Sequence, residues 1–281
     1  MSNSVKIIEE EKGAGAAVTR VRQLFQDIEI KEKVITLIEG PDDEFCYKHL
    51  LATSKVYFHR INIRFHEKIV GDLIAKYPTK LISIRDADFC RANNNVPTRA
   101  NMFHTDEHDL ETMMLSSGDL VDLTADYPGL VEAIDKRALC GILLDYSYMQ
   151  WYNYNGHKNL AFKELNTVNL YENGKLANPN GLFAEVCACS SMHTATFAEY
   201  ELFKQSHPVN DSLLLCITNG HDLMDCIYSE MHKVKRGNLP KAKVLKSFYK
   251  NYTILMFQQT LLYAQLSDWA RLNGQSLFVA A

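Results

Sequence analysis

Two short stretches bring together residues able to do metal chemistry. In "VITLIEGPDD", Val34 to Asp43, an apolar run stops at Glu39-Gly40, and in "KLISIRDADF", Lys80 to Phe89, a second apolar run ends in Asp86 and Asp88. Carboxylates crowded at neighbouring strand ends repel one another unless a cation stands between them. Hard oxygen donors select magnesium, manganese or calcium over zinc. Asp42 and Asp43 have a simpler explanation as acids in the first turn of a helix, where the dipole favours negative charge. Glu39 before a glycine is a connection rather than a cap, and Asp86 and Asp88 project from the end of their strand.

The surrounding pattern must place these acids on one edge. "KVITLIE" reads as a strand buried on both faces, and Pro41 suits the first turn of the helix that follows. "KVYFHRINI" reads as a second strand, "HEKIVGDLIAKY" as a helix and "KLISIRD" as a third strand. "ANMFHT" adds a further strand, and "DEHDLETMMLSS" a helix capped by Thr105 or Asp106. Strands alternating with helices predict an α/β fold with a parallel sheet flanked by helices, whose strands end on one ligand-binding edge. The division expected is a helical lead-in over 1–32, a core over 33–118, a mostly helical insertion over 119–212 and a return to the core with C-terminal helices over 213–281. "TVNLYENGKLA" reads as a hairpin turning at Asn173-Gly174, "SLLLCIT" as another apolar run before a helix, and "SFYKNYTILMFQQTLLYAQLSDWARLNG" as one long helix ending near Gly274.

Composition narrows the class. The chain has 281 residues, 47% of them hydrophobic, with a net charge of -4. That balance suits a folded globule rather than a disordered chain. The start lacks a basic-then-apolar leader, and no apolar stretch approaches the roughly 18 residues of a membrane span, so the expectation is a cytoplasmic protein with no membrane partner. Seven cysteines without a CxxC pair suit reduced thiols. Cys187, Cys189 and His193 fit no common zinc spacing. Between Met231 and Ser267 there are seven positive charges and no acid, so the rest of the chain sums to -11. Lys233, Lys235, Arg236, Lys241 and Lys243 are candidate nucleic-acid contacts, with Phe248, Tyr249 and Tyr252, or Trp151, Tyr152 and Tyr154, as stacking faces or as core.

"LIEGPDDEF" together with "SIRDADF" resembles the TOPRIM domain of topoisomerases, bacterial primases and OLD-type nucleases, over roughly residues 33 to 115. "FHTDEHDLETMML" and "ITNGHDLMDCI" extend the likeness to a TOPRIM-like phage-defence family that includes the PARIS effector subunit (AriB). The resemblance implies that Glu39, Asp86 and Asp88 are catalytic and bind magnesium, with manganese as an alternative. The third aspartate of many TOPRIM domains is absent, since "DADFCRANNN" offers Arg91 and asparagines. Glu111, or Asp109 beside it, is the natural substitute ligand, and His221 and Asp222 are further candidates for the same edge. The implied activity is metal-dependent endonuclease cleavage, of transfer RNA in the PARIS-like case. The implied partners are a separate AriA-like ATPase that restrains the effector, and a second copy of this chain when active. An OLD-type DNA endonuclease and a non-catalytic TOPRIM scaffold are the alternatives. No phosphate-binding GxxxxGK[ST] loop occurs, so the ATPase would be another chain.

Overall fold

The structure is a computed structural model that describes residues 4–235 and 239–279. Helix α1 (Ser4–Leu24) leads into β1 (Val34–Ile38), α2 (Pro41–Leu50), β2 (Val56–Arg60), α3 (Ile63–Leu73), β3 (Leu81–Arg85) and β4 (Met102–His104). All four strands pair in parallel in the order β2-β1-β3-β4, as the alternating pattern predicts. Every residue of β1 is buried, which explains its unbroken apolar run. Strand alternation sends Ile35 and Leu37 to one face, where they join Val18, Val21 and Leu24 of α1 and Phe65 and Ile69 of α3 in a single core cluster. From β1 the chain runs outward first to β2 and later, in the opposite direction, to β3. The gap between β1 and β3 is therefore the topological switch point, where open α/β sheets bind ligands beyond the strand ends.

The remaining helices are α4 (Leu110–Ser117), α5 (Leu120–Leu123), α6 (Lys136–Gly156), α7 (Thr167–Glu172), α8 (Pro179–Ala188), α9 (Phe197–Ser206), α10 (Leu214–Ile217), α11 (Gly220–Val234), α12 (Lys241–Asn251), α13 (Ile254–Phe257) and α14 (Leu261–Leu272). The chain divides into two compact units. One holds the sheet with residues 1–86, 97–105 and 252–281, and the other holds 87–96 and 106–251. In the first, Asn101 at φ 61° opens β4 and accepts a hydrogen bond from Trp269 Nε1 of α14 at 2.8 Å. In the second, α6 is the axis on which α8, α9, α10 and α11 pack. Its Trp151 and Tyr152 are buried against Phe203 of α9, and Tyr152 also meets Tyr200.

Four local expectations need correction. "TVNLYENGKLA" is not a hairpin: it forms α7 and a 3-10 turn over Lys175–Ala177, with Gly174 at φ 66° reversing the chain after a helix instead of between strands. "SLLLCIT", an apolar run in the style of the buried strands, is instead the helical turn α10. The long final helix is three helices, because Thr253 and Thr260 each cap a new one. The cap of α4 is Asp109, neither Thr105 nor Asp106.

Candidate active site

Within the sheet unit, Glu39 and Asp86 follow the two central strands at the switch point. The Asp86 backbone N–H donates to Glu39 Oε1 at 3.3 Å, so the two strand ends are tied together. Gly40 is the extended N-cap of α2, and its N–H donates to Asp43 Oδ2 at 2.7 Å. Asp43 is thereby committed to the helix start. Arg85, the last residue of β3, places its guanidinium Nε 3.8 Å from Glu39 Oε1 and its Nη1 3.6 Å from Glu67 Oε1, and Arg99 closes on Glu67 at 3.2 Å. A mostly buried carboxylate requires a counter-charge, and Arg85 supplies it. The pair is loose, since Arg85 Nε is buried without a hydrogen-bond partner. Behind this edge His66 Nδ1 lies 2.7 Å from Ser83 Oγ and its Nε2 3.2 Å from the Ile61 carbonyl. Burial holds the imidazole down to about 4, so it is neutral.

In the second unit, Asp88 opens a 3-10 turn over Asp88–Cys90 in a left-handed conformation, φ 47°. For a residue other than glycine that geometry costs on the order of 1 kcal/mol. It is held by the Asp88 N–H donating to the His108 carbonyl at 2.7 Å. The asparagines that replace the expected third aspartate have structural work. Asn93 Oδ1 accepts from Trp151 Nε1 at 2.8 Å while its Nδ2 donates to Asn155 Oδ1 at 2.7 Å, and Asn94 takes φ 52°.

The same unit contains a buried acidic knot. Asp109 Oδ1 accepts from the Thr112 N–H at 2.9 Å, and Asp109 Oδ2 accepts from the Gly220 N–H at 2.6 Å, so one carboxylate caps α4 and binds the first residue of α11. Glu111, in the first turn of α4, is buried, and Tyr249 of α12 donates to its Oε1 at 2.5 Å. Burial, then the charge of Asp109, pushes the Glu111 carboxyl up to about 7. His221, 67% exposed, brings Nδ1 to 3.7 Å from Glu111 Oε1. Asp222 is not the cap of α11; Asn219 is. The Asp222 carboxylate accepts from Thr167 Oγ1 at 2.5 Å and Gln150 Nε2 at 2.9 Å, joining α6, α7 and α11, and burial raises it above the usual carboxylate range.

The predicted residues therefore sort clearly. Glu39 and Asp86 meet in the sheet unit. Asp88, Asp109, Glu111, His221 and Asp222 belong to the helical unit, where Asp109 and Asp222 are held in structural hydrogen bonds. Among the described residues no three of His, Cys, Asp and Glu gather into a group able to hold a metal ion. The donor chemistry of Glu39 and Asp86 nevertheless suits magnesium, which takes one or two carboxylates and fills its other positions with water and phosphate oxygens. Of the proposed phosphate contacts, Lys233 pairs with Glu230 and Lys241 with Asp225, both at 2.5 Å, and Lys235 lies 5.8 Å from the Tyr127 ring. Lys243 is exposed. Arg236 lies outside the described residues. Trp151, Tyr152, Phe248, Tyr249 and Tyr252 are core residues, so of the aromatic candidates only Tyr154 is exposed. Arg85 and Gly220 are not among the predicted site residues, and Tyr249, expected as a stacking face or as core, is a core residue that bonds Glu111. Arg85 and Gly220 stand inside the quoted motifs, whereas Tyr249 reaches Glu111 across 138 positions with no local signal.

No helix among the described residues is long and apolar enough to cross a membrane. Scans against protein-family models, curated proteins and solved structures find no match to this chain.

Proposed function

We propose that this chain is a metal-dependent endonuclease of the TOPRIM type, cleaving RNA and in particular transfer RNA as the toxic effector of an anti-phage system. The observation that carries the reading is the meeting of Glu39 and Asp86 at the switch point of an all-parallel sheet, with the Asp86 N–H on the Glu39 carboxylate. Asp88, two residues on in the chain, is the further acid that the TOPRIM resemblance implies. Magnesium bound by such carboxylates supplies charge compensation at the phosphodiester and acidifies a water molecule. Glu39 serves as a ligand or as the base that takes the proton of the attacking water. Asp86 fixes the orientation of Glu39 through its backbone. Arg85 holds the counter-charge and, being loosely paired, can release Glu39. An AriA-like ATPase as restraining partner and a homodimer as the active form belong to the same proposal.

The ion pair between Arg85 and Glu39, with no three-acid group assembled among the described residues, favours one rival: a TOPRIM scaffold that no longer cuts. Incubating the purified chain with transfer RNA and with plasmid, in magnesium or in EDTA, separates these readings. Magnesium-dependent cleavage of RNA that Glu39→Ala abolishes is the expected result. Nicking of plasmid alone would assign an OLD-type DNA endonuclease. Intact substrates with a folded chain, unchanged by adding the cognate ATPase and its trigger, would leave the scaffold.

A further inference from the structure

Helix α12 lies in the longest acid-free part of the chain, and its lysines are not equivalent. Lys241 is neutralised by Asp225, and Lys250 lies 3.3 Å from Asp126, which Ser247 also holds. Among the described residues no acid pairs with Lys243 or Lys246, and both are exposed. At 100° per residue Lys243, Lys246 and Lys250 fall within about 60° of one another around the helix. Val244 and Phe248, about 100° and 140° round from Lys243, turn the other way and are buried. The stripe spans about 10 Å at 1.5 Å per residue. Tyr249, next to Lys250, reaches from the same helix to Glu111. The helix is thus fixed at its core side and charged at its surface.

We infer that Lys243 and Lys246 of α12 form a phosphate-contacting surface for a nucleic-acid strand, with Lys250 shared between Asp126 and that strand. This rests on the nuclease reading above. It also moves the contact from the paired Lys233 and Lys241 to lysines whose charge is not already compensated. An unpaired ammonium on a rigid helix releases condensed counterions when it meets a phosphate, whereas a lysine in an ion pair must first break that pair.

The test uses the full-length chain carrying Glu39→Ala, in EDTA, binding fluorescein-labelled bulk transfer RNA from 50 to 300 mM potassium chloride. Lys243→Gln with Lys246→Gln is compared with Lys55→Gln with Lys76→Gln, an equal loss of charge at exposed lysines of the sheet unit. Each phosphate contact contributes about 0.7 to 0.9 to the slope of log affinity against log salt. The α12 pair should flatten that slope by roughly 1.4 to 1.8 and weaken binding at 100 mM by about 25- to 60-fold. The control pair should leave both nearly unchanged. Equal effects of the two pairs, or none from α12 while the parent binds RNA, would overturn this assignment and leave the nuclease reading standing. A parent chain that does not bind the RNA at 50 mM salt would remove the nuclease reading and this inference together.

Discussion

Replacing Gly220 by alanine tests the packing of the acidic knot. A Cβ at that position would sit 2.3 Å from Asp109 Oδ1, 2.5 Å from Glu111 Cβ and 2.9 Å from Asp109 Cγ. The Asp109 carboxylate cannot swing aside freely, because it holds Thr112 and the Gly220 N–H itself. Forcing a methyl group into packed surroundings costs about 1–3 kcal/mol. Losing a hydrogen bond to a buried charged acceptor adds about 1.5–3 kcal/mol where it breaks. Alanine returns about 0.5–1 kcal/mol through the unfolded chain. The net expectation is a loss of roughly 2–4 kcal/mol, or a fall in Tm of about 5–10 °C. Thermal unfolding followed by circular dichroism reads it, with Gly141→Ala in α6 as control because its Cβ would meet nothing within 4 Å. Gly220→Ala as stable as the parent would refute the wedge, and with it the claim that Asp109 is locked to α11.

Three further expectations concern Asp88, Glu111 and His66. Because Asp88 stands at φ 47°, Asp88→Gly should be more stable than Asp88→Ala by about 1 kcal/mol in urea denaturation, and the reverse order would deny that the left-handed turn is held. Glu111 binds its proton more readily folded than unfolded, so its contribution is full below about 4.5 and is lost as pH rises through about 7. Glu111→Gln should therefore gain stability relative to the parent over that window, and parallel pH profiles would contradict the burial argument. His66 has the opposite sign: its folded value of about 4 lies below the ordinary 6.5, so its contribution is present above 6.5 and is lost as pH falls toward 4. Its imidazole signals in NMR should stay neutral down to about pH 4, and titration near 6.5 would show that the contact with Ser83 is open to water.

How much of this is legible in sequence differs between the two units. The sheet was readable because short apolar runs ending in Glu39 or Asp86 have few other uses, and Pro41 marks the start of α2. The order β2-β1-β3-β4, which puts those acids side by side, depends on non-local pairing that no single stretch encodes. In the helical unit local signals misled. Asn173-Gly174 supplies a left-handed reversal that serves a helix end as well as a hairpin. "SLLLCIT" is too short for periodicity to separate a strand from a helical turn. In the sheet unit's C-terminal segment Thr253 and Thr260 are capping residues, yet the apolar rhythm of the stretch runs unbroken through them. The basic run points to a surface, yet pairing decides which lysines remain available there, and Asp225 and Asp126, which hold Lys241 and Lys250, lie outside α12.

The most direct test of the central claim is sequencing of RNA ends, alongside inspection of DNA, from cells expressing this chain or its Glu39→Ala or Asp86→Ala variant at equal soluble levels. The account predicts new ends at a defined position in a few transfer RNAs, present with the parent and absent with both variants. RNA ends that persist unchanged in either variant would contradict the assignment of Glu39 and Asp86 as the catalytic pair.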